Sequence, residues 1–257
     1  MQNQRGQIPW YDERAGFFGR GYLKEYSNYL TKERTLTEVN FLEKTLQLRC
    51  GDKILDCPCG HGRHSIELSR RSYNVTGQDL NSFFIQEAKK EASHLKTAPH
   101  WIKGDMREIP FEDEFDVALC LFSSFGYLEN DNEDQKFLNQ IAIALKENGK
   151  FVLDVINRNR FIRLYKKRRW KQLHDGSIVI SENNFDQITG RNLEKRVRIW
   201  KNGMREEVSH FVRMYTIPEL VVMLRTAGFV PYQTFGDYSG EPITFFSKRY
   251  IFIAKKI

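Results

Sequence analysis

The chain lacks any apolar run long enough to span a membrane, and it contains few cysteines. No stretch of about 18 apolar residues occurs in the sequence, so we expect no membrane span. The first residues, Met-Gln-Asn-Gln-Arg-Gly, lack the apolar segment of a secretion signal. The four cysteines, Cys50, Cys57, Cys59 and Cys120, are typical of reduced thiols. We therefore expect a cytoplasmic protein that does not bind membranes.

Composition and charge bound the size of the core and the kind of partner. With 257 residues, 40% of them hydrophobic, the chain can bury one sizeable α/β core and carry an inserted segment. The formal net charge of +7 brings anionic partners into consideration. The densest basic cluster runs from Lys166 to Lys171 and includes Trp170. It could contact nucleic-acid phosphates, but we favour a solvated helix end or an edge strand.

Residues 54–68 predict a buried strand, a tight glycine turn and a helix, in that order. Gly60 and Gly62 allow a positive φ or a close approach of the backbone to a ligand. Asp56 ends the strand just before this turn. A carboxylate there would repel the phosphates of a dinucleotide but attract the cationic tail of S-adenosylmethionine (SAM). The segment favours a SAM-like cofactor, with an ordinary βα turn as the alternative.

Strands and helices alternate after this turn. Residues 73–79 predict a second strand ending in Asp79, at about the separation expected for a carboxylate that holds ribose hydroxyls. Asp105 follows a third strand and could accept a hydrogen bond from an adenine amino group, with Met106 against the ring. Residues 115–122 form a nearly continuous apolar run, typical of a strand covered on both faces. Two further helices and a fifth strand are predicted over residues 82–94, 133–146 and 150–156.

Past residue 157 the alternation stops and antiparallel strands are predicted. These strands cover residues 177–181, 196–200 and 208–215. The turn dipeptides around them are Asp175-Gly176, Thr189-Gly190 and Asn202-Gly203. A helix over residues 218–227 ends at Gly228, and two antiparallel strands are predicted after it, over residues 229–235 and 244–254. A β-meander is therefore inserted between the fifth strand and the last helix.

In these motifs and their order, over roughly residues 36–157, the chain resembles a class I SAM-dependent methyltransferase. One departure is Pro58, which stands where many members have the first glycine of the loop. The resemblance implies an α/β fold: a Rossmann-like, seven-stranded, mostly parallel sheet with flanking helices, plus the antiparallel meander. The implied segments are an N-terminal helical lid (1–50), a SAM-binding core (51–165), an insertion that caps the substrate or forms a dimer interface (166–216) and a C-terminal helix with a hairpin (217–257).

The resemblance also implies SAM as the cofactor and assigns site residues. The predicted cofactor-binding residues are Asp56, Cys59, Gly60, Gly62, Arg63, Asp79, Leu80, Asp105, Met106, Leu121 and Tyr26. The predicted substrate contacts are Tyr22, Phe125 and Tyr238. The candidate catalytic residues are Tyr127 and His64. For His64, the alternatives are a bond to a neighbouring carbonyl at the helix start and a role near the substrate.

Aromatic residues are frequent near the N-terminus, and Phe18, Tyr22, Tyr26 and Tyr29 fall near helical spacing. We expect most of them to pack on the core. Tyr22 and Tyr26 are candidates for a lid over the sulfonium, because aromatic faces attract cations.

A zinc site is considered and not favoured. Cys57, Cys59, His61 and His64 crowd into eight consecutive positions, whereas zinc sites usually take a second ligand pair from elsewhere in the chain. We therefore expect no metal.

The expected reaction is methyl transfer to a nitrogen or oxygen atom of a small-molecule acceptor, by a monomer or a homodimer. The sulfonium methyl is already activated, so an aligned nucleophile about 3 Å away needs little else. An amine must be neutral, and a hydroxyl is helped by a base, for which Tyr127, His64, Asp237 and Tyr238 are candidates by position. The alternatives are an RNA or protein methyltransferase, a non-catalytic SAM-binding subunit and an NAD-dependent oxidoreductase. Asp56, and Ser65 in place of a third glycine, argue against the last, and the loop after the fourth strand lacks the Pro-Pro pattern that grips a flipped base.

Overall fold

The computed structural model describes residues 9–257, so the part of the predicted 1–50 segment before residue 9 lies outside this range. The described chain forms two compact units. The small unit contains residues 9–29 and Tyr165–Arg213, and the core unit contains Leu30–Leu164 and Met214–Ile257. Among the described residues, no helix combines the length and the apolar composition needed to cross a membrane.

The elements are numbered in chain order. The strands are β1 (Lys53–Asp56), β2 (Asn74–Asp79), β3 (His100–Lys103), β4 (Phe115–Cys120), β5 (Leu145–Ile156), β6 (Arg168–Gln172), β7 (Ile178–Asp186), β8 (Arg191–Ile199), β9 (Arg205–Arg213), β10 (Phe229–Phe235) and β11 (Arg249–Lys256). The α-helices are α1 (Arg20–Glu25), α2 (Lys32–Leu46), α3 (Arg63–Arg70), α4 (Ser82–Ala92), α5 (Asp131–Ala144), α6 (Arg158–Arg163) and α7 (Ile217–Thr226).

The core unit is built on a seven-stranded sheet with the order β10-β11-β5-β4-β1-β2-β3. Strands β1 to β5 run parallel, and β11 pairs antiparallel with both β5 and β10. This confirms the predicted mostly parallel sheet. Since β1, β2 and β4 are parallel neighbours, their carboxyl ends and the loops that follow them meet at one edge of the sheet.

The centre of this sheet is apolar on both faces. Consecutive residues of β4, from Val117 to Cys120, are all buried, as the continuous apolar run predicted. The strand ends at Cys120 rather than at residue 122, because Phe122 and Ser123 adopt φ angles of +59° and +63°, which a strand does not accommodate. The strand β11 starts later than predicted, because the Ser247 N–H turns back to the Thr244 carbonyl at 3.2 Å.

The helix α7 of the core unit has a complete N-terminal cap. The Thr216 side chain accepts from the Glu219 N–H at 3.4 Å, and Glu219 accepts from the Thr216 N–H at 2.7 Å. Pro218 occupies the first turn, where its missing N–H costs no hydrogen bond.

The small unit contains a four-stranded antiparallel sheet with the order β6-β7-β8-β9. The three predicted turn glycines, Gly176, Gly190 and Gly203, all have positive φ and lie in the turns of this meander. The sequence predicted three strands, and the additional one is β6, formed by the basic cluster. All residues of β6 are exposed and it lies at the edge of the sheet, which confirms the edge-strand interpretation.

Candidate active site

The turn between β1 and α3 is held together by Asp56. Its carboxylate is buried, with 1% exposure, and accepts a hydrogen bond of 2.5 Å from the Ser65 hydroxyl. Burial raises the pKa of the Asp56 carboxyl, against the charge of His64 and the Ser65 hydrogen bond. The carboxylate thus ties the start of α3 to the end of β1.

Glycine is required in this turn for two reasons. Gly60 and Gly62 have φ of +55° and +77°, in the left-handed region. A Cβ added at Gly62 would lie 2.4 Å from the Trp101 indole, and one at Gly77 would lie 2.6 Å from the same ring. Trp101 therefore packs directly on the backbone of the turn, while the space beside Gly60 is open.

The two cysteines of the turn, Cys57 and Cys59, are buried. Cys59 is buried and its N–H donates to the Gln78 carbonyl at 2.9 Å, which joins the turn to β2. Burial raises the pKa of the Cys57 and Cys59 thiols well above the usual range. Within residues 9–257, no group of three or more His, Cys, Asp or Glu side chains is arranged to hold a metal ion.

Asp79 projects from the end of β2 toward the glycine turn. Its two carboxylate oxygens accept the N–H groups of Gly60 and Asn81, each at 2.8 Å. Burial raises the pKa of the Asp79 carboxyl to about 6, although these two hydrogen bonds oppose the shift. Each oxygen retains a further lone pair, so the carboxylate can accept two more hydrogen bonds from a vicinal diol. Leu80 follows, half-buried.

Asp105 is fixed after β3 by an arginine two residues on. Arg107 donates to both of its oxygens, from Nη2 at 2.6 Å and from Nε at 3.0 Å. Burial alone would raise the pKa of the Asp105 carboxyl, but the hydrogen bonds from Arg107 hold it below its usual value. Met106, next to it, is half-buried, and the adenine contact of this pair stays a prediction.

Three guanidinium groups converge on the ring of Phe122, just beyond β4. The Cζ atoms of Arg34, Arg63 and Arg249 lie 5.3, 5.4 and 5.8 Å from the ring centroid. This separation allows cation–π contacts. We call these three arginines and Phe122 the arginine cluster.

Glu38 of α2 binds two of these arginines and a histidine. It is 1% exposed, and its carboxylate pairs with Arg34 Nε at 2.7 Å, Arg63 Nη1 at 2.5 Å and His64 Nε2 at 2.8 Å. Burial favours the protonated carboxyl, but the His64 hydrogen bond and the cations hold the pKa of Glu38 well below its usual range. The second terminal nitrogen of Arg63, Nη2, is buried without a hydrogen-bond partner among the described residues. A buried donor of this kind favours an acceptor from a ligand.

Asp154 of β5 forms the other side of the cluster. It is fully buried, pairs with Arg249 Nε, and accepts the Tyr238 hydroxyl at 2.8 Å and the Phe122 N–H at 2.9 Å. Arg249 also donates to the Ser123 hydroxyl at 2.6 Å. Burial and the neighbouring carboxylates raise the pKa of the Tyr238 phenol well above its usual value. Tyr238 therefore acts as a hydrogen-bond donor.

The remaining predicted residues lie in different places. Leu121 is buried, and the Phe125 ring lies in the core 5.2 Å from the ring of Tyr215. Tyr127 is half-buried. Tyr22 and Tyr26 belong to the small unit, where their rings stack at 4.5 Å.

The sequence did not predict Arg34, Glu38, Asp154 or Arg249. Their elements, α2, β5 and β11, are far apart in the chain, so no local spacing marks them. A carboxylate within an otherwise apolar run, Asp154 in residues 151–156, was the available signal.

Comparison with known proteins gives matches over most of the chain. Residues 54–149 match a family model described as a methyltransferase domain. A putative methyltransferase, YqeM of Bacillus subtilis, is 24% identical over 209 residues, covering 79% of this chain and 84% of that protein. A glycine/sarcosine N-methyltransferase of Aphanothece halophytica is 22% identical over 241 residues, covering 92% of this chain and 88% of that protein.

Solved structures share the fold. A SAM-dependent methyltransferase from Clostridium acetobutylicum superposes with a TM-score of 0.80 at 20% identity, covering 92% of this chain and 99% of that one. The sugar N-methyltransferase KedS8 from a Streptoalloteichus species gives 0.67 at 18% identity, covering 100% and 97%.

Proposed function

Since this chain is a class I SAM-dependent methyltransferase, we propose that it transfers the methyl group to the nitrogen of a small-molecule amine. The similar proteins include enzymes named for N-methylation of glycine, sarcosine and sugars, which supports a small nitrogen acceptor. The observation that supports nitrogen as the acceptor is the burial and hydrogen bonding of His64 and Tyr238 at the sheet edge.

The residues at this edge fit SAM, which supplies a methyl group already activated on a sulfonium. Asp79 would accept the ribose hydroxyls on its two remaining lone pairs. Gly60, with open space in place of a Cβ, would let the backbone lie close to the cofactor. The unpartnered Nη2 of Arg63 would donate to the carboxylate of the amino-acid tail.

The choice of acceptor atom depends on whether His64 or Tyr238, the two candidate bases at this edge, can remove a proton. His64 is 4% exposed and its Nε2 is bonded to Glu38, while the Tyr238 hydroxyl donates to Asp154. The raised pKa of the Tyr238 phenol keeps this residue a donor, and the His64 ring is too buried to give an acceptor ready access, so neither is well placed to remove a proton from a hydroxyl. A neutral amine attacks through its own lone pair and needs no base in the transferring step.

The test is transfer from methyl-labelled SAM to matched pairs of small amines and their hydroxyl analogues. The amine panel starts with glycine, sarcosine and amino sugars. We expect label on the amine of at least one pair, with a rate that rises with pH until the amine is deprotonated. Asp79→Ala is the control for dependence on the cofactor site. Label confined to the hydroxyl analogues would contradict the proposal.

Methylation of RNA or protein is the alternative, and the basic cluster in β6 gives it little support. Three cations of the cluster pair with carboxylates: Arg168 with Glu182 at 3.4 Å, Arg169 with Glu194 at 3.3 Å, and Lys171 with Glu25 at 2.9 Å. These three cations are paired with carboxylates of the small unit. Label in the macromolecular fraction of a cell extract would favour the alternative.

A further inference from the structure

Two neighbouring phenylalanines of the core unit are open to solvent. Phe245 is 60% exposed and Phe246 is 70% exposed, and their ring centroids lie 5.6 Å apart at an interplanar angle of 84°. They belong to the segment between β10 and β11, residues 236–248. Adjacent aromatic rings that stay exposed are typical of a binding surface, since a folding core would have covered them.

Both ends of this segment are fixed at the candidate active site. The Tyr238 hydroxyl donates to the Asp154 carboxylate at 2.8 Å near one end, and Arg249 pairs with the same carboxylate at the other. Phe246 precedes Arg249 by three residues, so their Cα atoms are at most about 11 Å apart. The two rings therefore lie at the rim of the arginine cluster.

An arginine of α6 holds the two rings in place. The Cζ atom of Arg163 lies 5.4 Å from the ring centroid of Phe245 and 4.5 Å from that of Phe246. Both distances are within the range of a cation–π contact. We call Phe245, Phe246 and Arg163 the phenylalanine rim.

A buried asparagine joins α6 to the same segment. Asn157 is fully buried and caps α6 by accepting from the Arg160 N–H at 2.9 Å. Its side-chain amide donates to the Ser247 carbonyl at 2.7 Å. Because one side chain bonds both elements, Arg163 and the two rings keep their relative positions.

The base of the segment is closed by backbone hydrogen bonds. The Gly236 N–H donates to the Glu241 carbonyl at 2.7 Å, and the Arg249 N–H donates to the Gly236 carbonyl at 2.9 Å. A Cβ added at Gly236 would lie 2.3 Å from the Ser247 hydroxyl oxygen, so the two arms of the segment are in direct contact. A surface held in one arrangement before binding loses little entropy when a ligand arrives.

We propose that the phenylalanine rim binds the acceptor of the reaction, and that this acceptor carries an aromatic ring near its amine. The exposed rings offer surface on which a second ring can stack or pack edge to face. A guanidinium already lies against both rings, so a second cation is disfavoured there and an uncharged ring is favoured. The inference rests on the proposed function, because it takes the acceptor to be a small amine.

The experiment is calorimetric binding of amines to the full chain saturated with S-adenosylhomocysteine, the demethylated cofactor. The probes are benzylamine, phenethylamine and 3-phenylpropylamine, each compared with the alkylamine of the same spacer that lacks the ring. We expect the aromatic amine of at least one pair to bind about tenfold more tightly than its alkylamine, because its ring leaves water and contacts the rim.

Variants of the rim show whether this preference arises there. Phe246→Ala should remove most of the preference and leave alkylamine binding unchanged, whereas Phe246→Tyr keeps an aromatic ring and should retain it. Tyr232→Ala is the matched control, since Tyr232 is an aromatic side chain that is 46% exposed on β10 of the same unit, and we expect it to change nothing. Circular dichroism and SAM binding check that each variant is folded.

Methyl transfer to the same amines separates this inference from the proposed function. A ring preference that survives in both Phe245→Ala and Phe246→Ala would overturn the role of the phenylalanine rim. No preference for any aromatic amine, or no measurable binding of one, would overturn it as well. Label on alkylamines would in those cases leave N-methylation intact, whereas label confined to hydroxyl analogues would overturn the proposed function.

Discussion

The two units keep their charges in opposite places. In the core unit, the sheet interior is apolar, and the buried carboxylates Glu38, Asp56 and Asp154 and the half-buried Asp79 lie around the sheet edge where the strands end. In the small unit, Glu194 and Arg196 are buried in the middle of a strand. We therefore predict that the polar groups at this edge of the core unit serve ligand binding, and that those of the small unit serve folding.

The buried ion pairs of the small unit form one network, because they share Arg196 and Glu25. Arg196 pairs with Glu25 at 3.0 Å and with Glu194 at 2.7 Å, and Arg198 pairs with Glu25 at 3.0 Å. Burial, together with the charge of Arg196, lowers the pKa of His210 to about 3, so this histidine is neutral in the network. Buried ion pairs contribute little while intact but are costly to break singly.

The largest predicted effect follows from breaking this network. Arg196→Met leaves Glu25 and Glu194 buried without their main partner, so we expect a loss of about 3–5 kcal/mol in the free energy of unfolding, measured by denaturant titration. The control is Arg168→Met, whose exposed pair with Glu182 should contribute less than about 1 kcal/mol. Equal losses for the two variants would show that burial of the network does not matter.

Truncating an apolar side chain in the core unit should lower the free energy of unfolding slightly less than Arg196→Met does. The two losses should also respond differently to pH. We expect Leu119→Ala to lose about 2–5 kcal/mol through the cavity it leaves. This loss should be the same at pH 5 and pH 8, since no charge is involved. The Arg196→Met loss should shrink at pH 5, because unpaired buried carboxylates then take up protons. A parallel pH response of the two variants would contradict the comparison.

Removing a polar group from the edge of the core unit should affect binding more than folding. We expect Asp79→Ala to weaken SAM binding by about 1–3 kcal/mol, since two ribose hydrogen bonds are lost. Calorimetry on the folded variant measures this. Unchanged affinity would remove Asp79 from the cofactor site.

The raised pKa of Asp79 predicts a pH dependence of the same binding. Only the carboxylate accepts both hydroxyls, so SAM affinity should fall as pH decreases through about 6. For folding the sign is opposite, because the group's contribution to stability is present at low pH and lost as pH rises through about 6. Calorimetry between pH 5 and 8 checks the first effect, with Asp79→Asn expected to abolish the step near pH 6.

The smallest predicted effect concerns the N-terminal cap of α7, which takes no part in the ion pairs of either unit described above. Thr216→Ala removes the capping box of α7 and should cost about 1 kcal/mol in the free energy of unfolding. Thr216→Ser keeps the hydroxyl and should recover most of it. A larger loss would mean that α7 depends on its cap more than on its packing against the core.

The parts of the fold that could be predicted are those encoded locally. The glycine turn, β1 to β5 and the acids at their ends follow from a strand, a turn and a helix that are adjacent in sequence. The arginine cluster was missed, because Arg34 and Arg249 approach Phe122 only after α2 and β11 have packed. A contact of that kind has no spacing that a sequence pattern can detect.

The small unit shows a different limit. The sequence predicted a strand over residues 196–200, and the structure has a longer one, β8, over Arg191–Ile199. Alternation alone assigns the charged side to solvent, yet Glu194, Arg196 and Arg198 are the buried side. These charged side chains can be buried because they pair with one another and with Glu25 of α1. The pairing with α1 depends on the tertiary fold, which a strand pattern does not reveal.

The four tryptophans divide unequally between the units. Trp10, Trp170 and Trp200 belong to the small unit, and Trp101 belongs to the core unit, where its indole lies against Gly62 and Gly77. Replacing the other three with phenylalanine would leave one fluorophore in contact with the glycine turn. Its emission would then report loop rearrangement optically, without any attached dye.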